Sequence, residues 1–395
     1  MRMRTRVLAL VARGVLLAAL AALGNGAASG APPCKPKHCR DTTPPTATVT
    51  APAAGSTVSG TTTLAADASD NVGVTEVRWY VDNTQVAADT DGAPWTKPWN
   101  SATVSDGSHQ LFAKAADAAG NWGTSQTISF TVSNPACGTR SGPPATYQHV
   151  VWIVFENKAY SEVIGSSSAP YINTLANGCG LATNFYAEAH PSLPNYIAMT
   201  SGSTQGITDD NPPSSHPLSV ASIFSQTAGS WRSLEESMPS NCDLSSSGSY
   251  AVKHNPAAYY TNIRTECASL DVPLADPPDV SAKFTFVTPN LCNDMHDCSV
   301  ATGDTWLSTW LPKILSSAAY TAGSTAIFVT WDEDDSTGGQ HIPTIVISPY
   351  TARGTTSSTT YNHYAMLRTT EQLLGVPTYL GNAASAPSMR AAFGL

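Results

Sequence analysis

Two patterns of hydrophobic and polar positions divide the chain. Between about residues 45 and 133, short runs of alternating polarity occur at 47–49, 61–65, 74–81, 109–115 and 127–132. Turn-forming pairs separate them, at Ala54-Gly55, Asp82-Asn83, Asp91-Gly92 and Asp106-Gly107. That spacing over about ninety residues predicts an all-β sandwich. From residue 149 onwards the apolar runs become nearly continuous, at 149–155, 284–287, 326–331 and 342–347. Runs of this kind suit strands buried on both faces. Helical periodicity lies between them, at 171–176 and 364–374, the latter stopped by Gly375 and Pro377. Strands alternating with helices predict an α/β domain whose sheet is mostly parallel. The expected organisation is a signal peptide over 1–30, a connector over 31–44, an immunoglobulin-like β-sandwich over 45–133, a linker over 134–146 and the α/β domain over 147–395.

Several apolar runs of the second half end abruptly in polar residues. The first runs into Glu156-Asn157, the second into Pro289-Asn290 and then Asp294-Met295-His296, the third into Asp332-Glu333-Asp334-Asp335. Ligands of open α/β sheets bind beyond the carboxyl ends of the strands, so these clusters fall in one region. Acids crowded together need a cation to offset their repulsion, and hard oxygen donors suit a divalent one. A separate stretch, AEAHPSLPNYIAMTSG, puts Ser192 just ahead of Pro194-Asn195 and an apolar run. Proline favours the first helical turn, so Ser192 is expected at a helix amino terminus, where free N–H groups attract anions. An ordinary helix start fits the same residues; the neighbouring acids and histidines favour a nucleophile. No GxSxG elbow surrounds Ser192, which argues against an α/β-hydrolase.

The amino-terminal residues carry Arg2, Arg4 and Arg6, then a Leu/Ala-rich run, then Ala27, Ala28 and Ala31. This order predicts a secretory signal peptide and an exported protein without a permanent membrane anchor. Its removal takes four arginines and no acid, leaving 16 basic against 29 acidic residues, a formal charge of −13. That balance argues against nucleic acid as a partner. Eight cysteines in an exported chain suggest disulfides. The close pairs Cys34/Cys39, Cys292/Cys298 and Cys242/Cys267 each suit one loop and leave Cys137 with Cys179, although sequence leaves other pairings open. In the β-module Asp70 and Asp117 read better as turn caps than as calcium ligands, and Trp95 and Trp99 better as packing residues than as a sugar platform. The module is expected to be a spacer or an adhesion unit, the latter in contact with cell wall or polysaccharide.

The segments VVWIVFENKAYSEVIG, HPSLPNYIAMTSG, VTWDEDDSTGGQHIPTIVISP and YNHYAMLRTTEQLLG, in this order, resemble the phosphoesterase family. That family holds acid phosphatases and non-specific phospholipases C within the alkaline-phosphatase-like superfamily, and the resemblance covers about residues 147–380. It implies Ser192 as nucleophile, with His296, His341 and His363 as further catalytic residues. It implies Glu156, Asn157, Asp294, Asp332 and Glu333 around a divalent metal ion (Ca, Mg, Mn, Zn or Fe), and Asn157, Asn195 and His190 as substrate contacts. Gln340 stands where the family often carries Asp. Serine in the nucleophile segment favours the phosphatase branch, since the phospholipase branch usually has threonine. The substrate class implied is a phosphoester, either a small molecule or a lipid. The rival readings are a phospholipase C-type phosphodiesterase and, from another class, a surface-binding protein whose β-module does the work.

Overall fold

The computed structural model describes residues 41–395 except 59, 60, 105, 106 and 135. The expected signal peptide, most of the connector and the Cys34/Cys39 pair lie outside the described residues.

Among the described residues the β-module has nine strands: β1 Thr46–Ala51, β2 Thr57–Val58, β3 Thr61–Ser69, β4 Val74–Val81, β5 Thr84–Asp89, β6 Trp95–Asn100, β7 Gly107–Asp117, β8 Trp122–Thr124 and β9 Ile128–Val132. They form two sheets, β1-β3-β6 and β2-β9-β7-β4-β5, with β8 paired to β7. Alternation dictates the packing. Val77, Trp79 and Val81 of β4 point to the same side as Leu111, Ala113 and Ala115 of β7, and meet Leu64, Trp95 and Trp99 from the other sheet. Trp95 and Trp99 are therefore core residues, each 5% exposed. Asp70 caps its turn by accepting from the Val72 and Gly73 N–H groups, and Asp117 holds Asn121 in the same manner.

The five alternating runs are all strands; β2, β5, β6 and β8 lie outside those runs. β5 follows a turn in which Asp82 and Asn83 both have positive φ, 46° and 68°. This is the geometry that a tight hairpin demands. β6 contains Pro98, which argues against a central strand and is tolerated because β6 lies at a sheet edge.

The α/β domain adds β10 His149–Phe155, β11 Gly180–Ala182, β12 Phe185–Tyr186, β13 Trp231–Glu235, β14 Asp271–Pro273, β15 Phe284–Thr288, β16 Thr325–Trp331, β17 Thr344–Ile347, β18 Thr355–Ser357 and β19 Tyr361–Asn362. Eight of these make one sheet in the order β14-β13-β15-β10-β16-β17-β11-β18. The five strands from β14 to β16 run parallel, and β17 is antiparallel to both its neighbours. β10, β15 and β16 lie at the middle of it, and all but the first residue of β10 are buried. Their continuous apolar character follows from cover on both faces.

Register fixes what comes next. β10 and β16 are aligned from His149↔Thr325 to Phe155↔Trp331. The residues that follow, Glu156 and Asp332, therefore leave the sheet side by side.

The described residues between 133 and 148 contain no regular element but are tied down. Cys137 is bridged to Cys179, and the Arg140 guanidinium donates to the Thr321 and Ala322 carbonyls. Cys242–Cys267 and Cys292–Cys298 complete the disulfides of the described residues, in the pairing that spacing suggested. No helix of the described residues is long and apolar enough to cross a membrane.

Candidate active site

Three neighbouring strand ends supply a buried carboxylate cluster. Glu156 follows β10; Asp332, Glu333 and Asp334 follow β16; Asp294 lies in the loop after β15. All five are at most 2% exposed. The Glu156 N–H donates to the Asp294 carbonyl at 2.8 Å and the Asp332 N–H to the Phe155 carbonyl at 3.0 Å, so the three loops leave the sheet as one unit. Asn157 takes a left-handed turn (φ 48°) that directs its N–H to Asp332 Oδ1 and its Nδ2 to Glu333 Oε1, both at 3.2 Å. Asparagine tolerates that backbone region better than most residues.

Ser192 begins the helix Ser192–Ser201, every residue of which is buried. Its hydroxyl donates to Glu156 Oε2 at 2.9 Å and lies 3.3 Å from Glu333 Oε1. The helix start is aimed by its own sequence. Asn195 Oδ1 accepts from the Glu188 and Ala189 N–H groups, and its Nδ2 donates to the Ala189 carbonyl. The Asn195 amide is thus fully engaged in folding the loop that precedes Ser192, where the sequence suggested a substrate contact. That loop carries His190, whose ring nitrogens meet Glu333 Oε2 at 2.5 Å and Asp334 Oδ1 at 3.0 Å. The first free amide of the helix, Leu193 N–H, is held by Asp210 Oδ1 at 2.9 Å.

The long segment between the serine helix and β15 delivers a residue that the sequence reading passed over. A short 3-10 turn, Val252–His254, inserts His254 between Glu156 Oε2 and Asp294 Oδ2, 3.3 Å from each. The Tyr196 ring stacks on it at 5.4 Å, while the Tyr196 hydroxyl donates to Glu156 Oε1. His296 lies beyond, its ring 5.7 Å from that of His254 and its Nδ1 2.7 Å from Asp297 Oδ1. The signal is the tetrapeptide Lys253-His254-Asn255-Pro256, a histidine directly beside a lysine. It follows no strand, which is why strand-end reasoning missed it.

Two of the expected histidines do not reach the cluster. His341 is stacked between Tyr160 and Tyr186, at 4.5 and 5.1 Å, and its Nε2 lies 3.1 Å from the Thr183 carbonyl. The turn before it is responsible: Gln340 N–H bonds to Asp334 Oδ2, and the His341 backbone bridges to Tyr186, which turns the ring away from the acids. His363, fully buried at the start of the helix His363–Leu373, places Nε2 3.0 Å from the Trp331 carbonyl. It braces the strand end that carries Asp332 rather than touching Asp332 itself. Burial pushes its imidazole down to about 4.

The electrostatics of the cluster follow from crowding without water. Burial first, and then Asp332 and Asp294, push Glu156 well above the usual carboxylate range. Burial and then Asp332 take Glu333 to about 9. Burial also takes Asp332 and Asp294 to about 7. His254 goes the other way, well below its usual value, through burial and the nearby Lys253 and His296. It is therefore neutral, and its contacts with the two carboxylates are not ion pairs. Asp332 Oδ2 and Asn157 Oδ1 are buried with no hydrogen-bond donor on them. Oxygens left bare among buried acids fit a divalent cation, which satisfies them and removes the repulsion. Glu156, Asn157, Asp332 and Glu333 could hold it beside the Ser192 hydroxyl.

The model of a family described as Phosphoesterase family matches residues 166–377, and one described as Bacterial Ig domain matches residues 45–113. A phosphatidylinositol-3-phosphatase of Mycobacterium tuberculosis is 34% identical over 261 residues, which are 64% of this chain and 85% of that protein. An acid phosphatase of Aspergillus fumigatus is 28% identical over 250 residues, 58% of this chain and 54% of that protein. A solved alkaline-phosphatase-superfamily protein from Vibrio parahaemolyticus aligns over 65% of this chain and 73% of its own at 14% identity, with a TM-score of 0.44.

Proposed function

Because the chain belongs to the phosphoesterase family and is a hydrolase of phosphoric esters, we propose that it removes phosphate from monoesters through a phosphoserine on Ser192, with a divalent cation bound by the carboxylate cluster. One observation carries this reading: a serine hydroxyl at a helix amino terminus, within hydrogen-bond reach of carboxylates from two separate strand ends. A helix terminus favours the anionic phosphate, and the carboxylates accept the hydroxyl's proton. The names of the relatives, acid phosphatase and phosphatidylinositol-3-phosphatase, are those of phosphatases and support the monoester branch.

The cation, when bound, neutralises the clustered acids, favours the serine alkoxide and polarises the phosphorus–oxygen bond. Glu156 takes the Ser192 proton along the hydrogen bond that already joins them. Ser192 Oγ attacks phosphorus in line, and the ester oxygen departs opposite it. His190, partly exposed at the edge of the cluster and held by Glu333 and Asp334, gives a proton to the departing alcohol. Asn157, Leu193 N–H and the helix dipole bind the equatorial phosphate oxygens. A water then hydrolyses the phosphoserine by the reverse proton path. Export to an oxidising compartment accords with the three disulfides.

Hydrolysis of an aryl phosphate monoester and a choline-type phosphodiester by the same preparation, before and after EDTA, tests the reading. Metal-dependent turnover of the monoester supports it. Preference for the diester moves the chain to the phospholipase branch, and no turnover of either with metals restored overturns it.

A further inference from the structure

The nucleophile is 1% exposed, and its helix is buried from end to end. A substrate phosphate can reach Ser192 only if a group at the mouth moves. Two part-exposed side chains sit there together. Asp210 is 28% exposed and Lys253 is 21% exposed, and Lys253 Nζ donates to Asp210 Oδ2 at 2.8 Å. The other oxygen of the same carboxylate, Oδ1, takes the Leu193 N–H at 2.9 Å.

One carboxylate thus spans a helix-start amide and an ammonium. These are the two donors that a pair of phosphate oxygens on Ser192 needs. A phosphate brings more charge and more acceptor oxygens than a carboxylate, so it is the stronger claimant for both. Lys253 also matters beyond this pair, because its charge acts on Glu156, Asp294 and Glu333.

The exchange requires little of the backbone. Asp209, one residue earlier, anchors the loop by accepting from the Asn211 N–H and side-chain amide and by pairing with His216. With that anchor in place, a rotation of the Asp210 side chain into solvent is enough to release Leu193 N–H and Lys253.

We infer that Lys253 is a phosphate-anchoring residue of this site, and that Asp210 occupies the phosphate position until substrate displaces it. The inference rests on the phosphoester reading above and adds to it the two residues that govern phosphate entry. Asp210 is then an internal competitor of substrate, and its removal strengthens phosphate binding. A purely structural helix cap has no such effect.

The test compares metal-replete wild type with Asp210→Asn, Lys253→Met and Lys253→Arg, measuring kcat, KM for an aryl monoester, inhibition by inorganic phosphate, and Tm. Asp210→Asn is expected to lower both KM and the phosphate inhibition constant about fivefold or more, as removal of a nearby like charge requires, with a smaller change in kcat. Lys253→Met is expected to raise both constants about tenfold, the scale of a charge-assisted hydrogen bond, and Lys253→Arg to recover most of that loss. An unchanged or weaker phosphate affinity in a folded Asp210→Asn overturns the placeholder role, and normal phosphate affinity in Lys253→Met overturns the anchor. Should Asp210→Asn fold poorly, the two lysine variants decide. If wild type turns over no phosphoester, the underlying reading falls, and calorimetric titration of inorganic phosphate into the same four proteins still decides for or against the two residues.

Discussion

Ser192 Oγ donates a 2.9 Å hydrogen bond to Glu156 Oε2, joining the start of a buried helix to the end of the first central strand across 36 residues of sequence. The same carboxylate accepts from the Tyr196 hydroxyl one turn along that helix. The proposed base and nucleophile are therefore positioned by elements whose placement is set by the core.

Replacing Ser192 with alanine removes the attacking oxygen and adds no bulk. Turnover of an aryl phosphate is expected to fall about 10³-fold or more, in keeping with loss of a covalent nucleophile. Tm should be nearly unchanged, because Glu156 keeps the Tyr196 donor. Steady-state kinetics with a parallel thermal melt checks both.

The carboxylate half of this site was legible in the sequence, for a physical reason. Strands buried on both faces are continuous apolar runs, so acids that follow them directly are conspicuous, and Glu156, Asp294, Asp332 and Glu333 do come together. Their side-by-side placement depends on the Phe155↔Trp331 register, which no local pattern encodes. His254 was not legible, because it arrives on a 3-10 turn of a segment without periodicity. His341 and Asn195 show the opposite situation. Each sits in a motif of the right composition, but local hydrogen bonds engage Asn195 and direct the His341 ring to two tyrosines. In the β-module, β5 was legible in principle from the Asp82-Asn83 turn, whereas Pro98 disguised β6.

His254 is wedged between Glu156 and Asp294, 3.3 Å from a carboxylate oxygen of each. His254→Ala is expected to weaken divalent-metal affinity about 10- to 100-fold, the usual cost of removing a group that orients metal ligands. Titration of metal back into the chelated variant, followed by activity and by Tm, measures it. Metal affinity equal to wild type would show that His254 has another task.

Chelation should act on stability as well as on turnover. If the cluster holds a cation, saturation at a hundred times its dissociation constant contributes about 2.7 kcal/mol. EDTA is therefore expected to lower Tm and abolish turnover together, and one restored divalent metal should recover both. Loss of activity with an unchanged Tm would place the metal elsewhere.

A separate pH effect is expected far from Ser192. Glu371, buried in the helix His363–Leu373, is pushed up to about 7 by burial, against a hydrogen bond from Leu380 N–H. Its Oε2 and Gln226 Oε1 are both buried acceptors without a donor. A proton on Glu371 is the natural remedy. The folded state then holds a proton that the unfolded chain, with a pKa of about 4.3, releases earlier. Stability should therefore fall as pH rises from about 4.3 to about 7 and level off beyond. Glu371→Gln removes this term. Its Tm should decline less than that of wild type between those limits, and a parallel decline in both proteins would refute the assignment.

The covalent step is the centre of the account, and it can be seen directly. Metal-replete protein turning over an aryl phosphate monoester is quenched in acid, digested and analysed by mass spectrometry for phosphopeptides. The account predicts phosphate on the peptide bearing Ser192, localised to that residue and absent from Ser192→Ala. Phosphate on another serine or threonine, or full turnover in Ser192→Ala with no adduct on either protein, would contradict it.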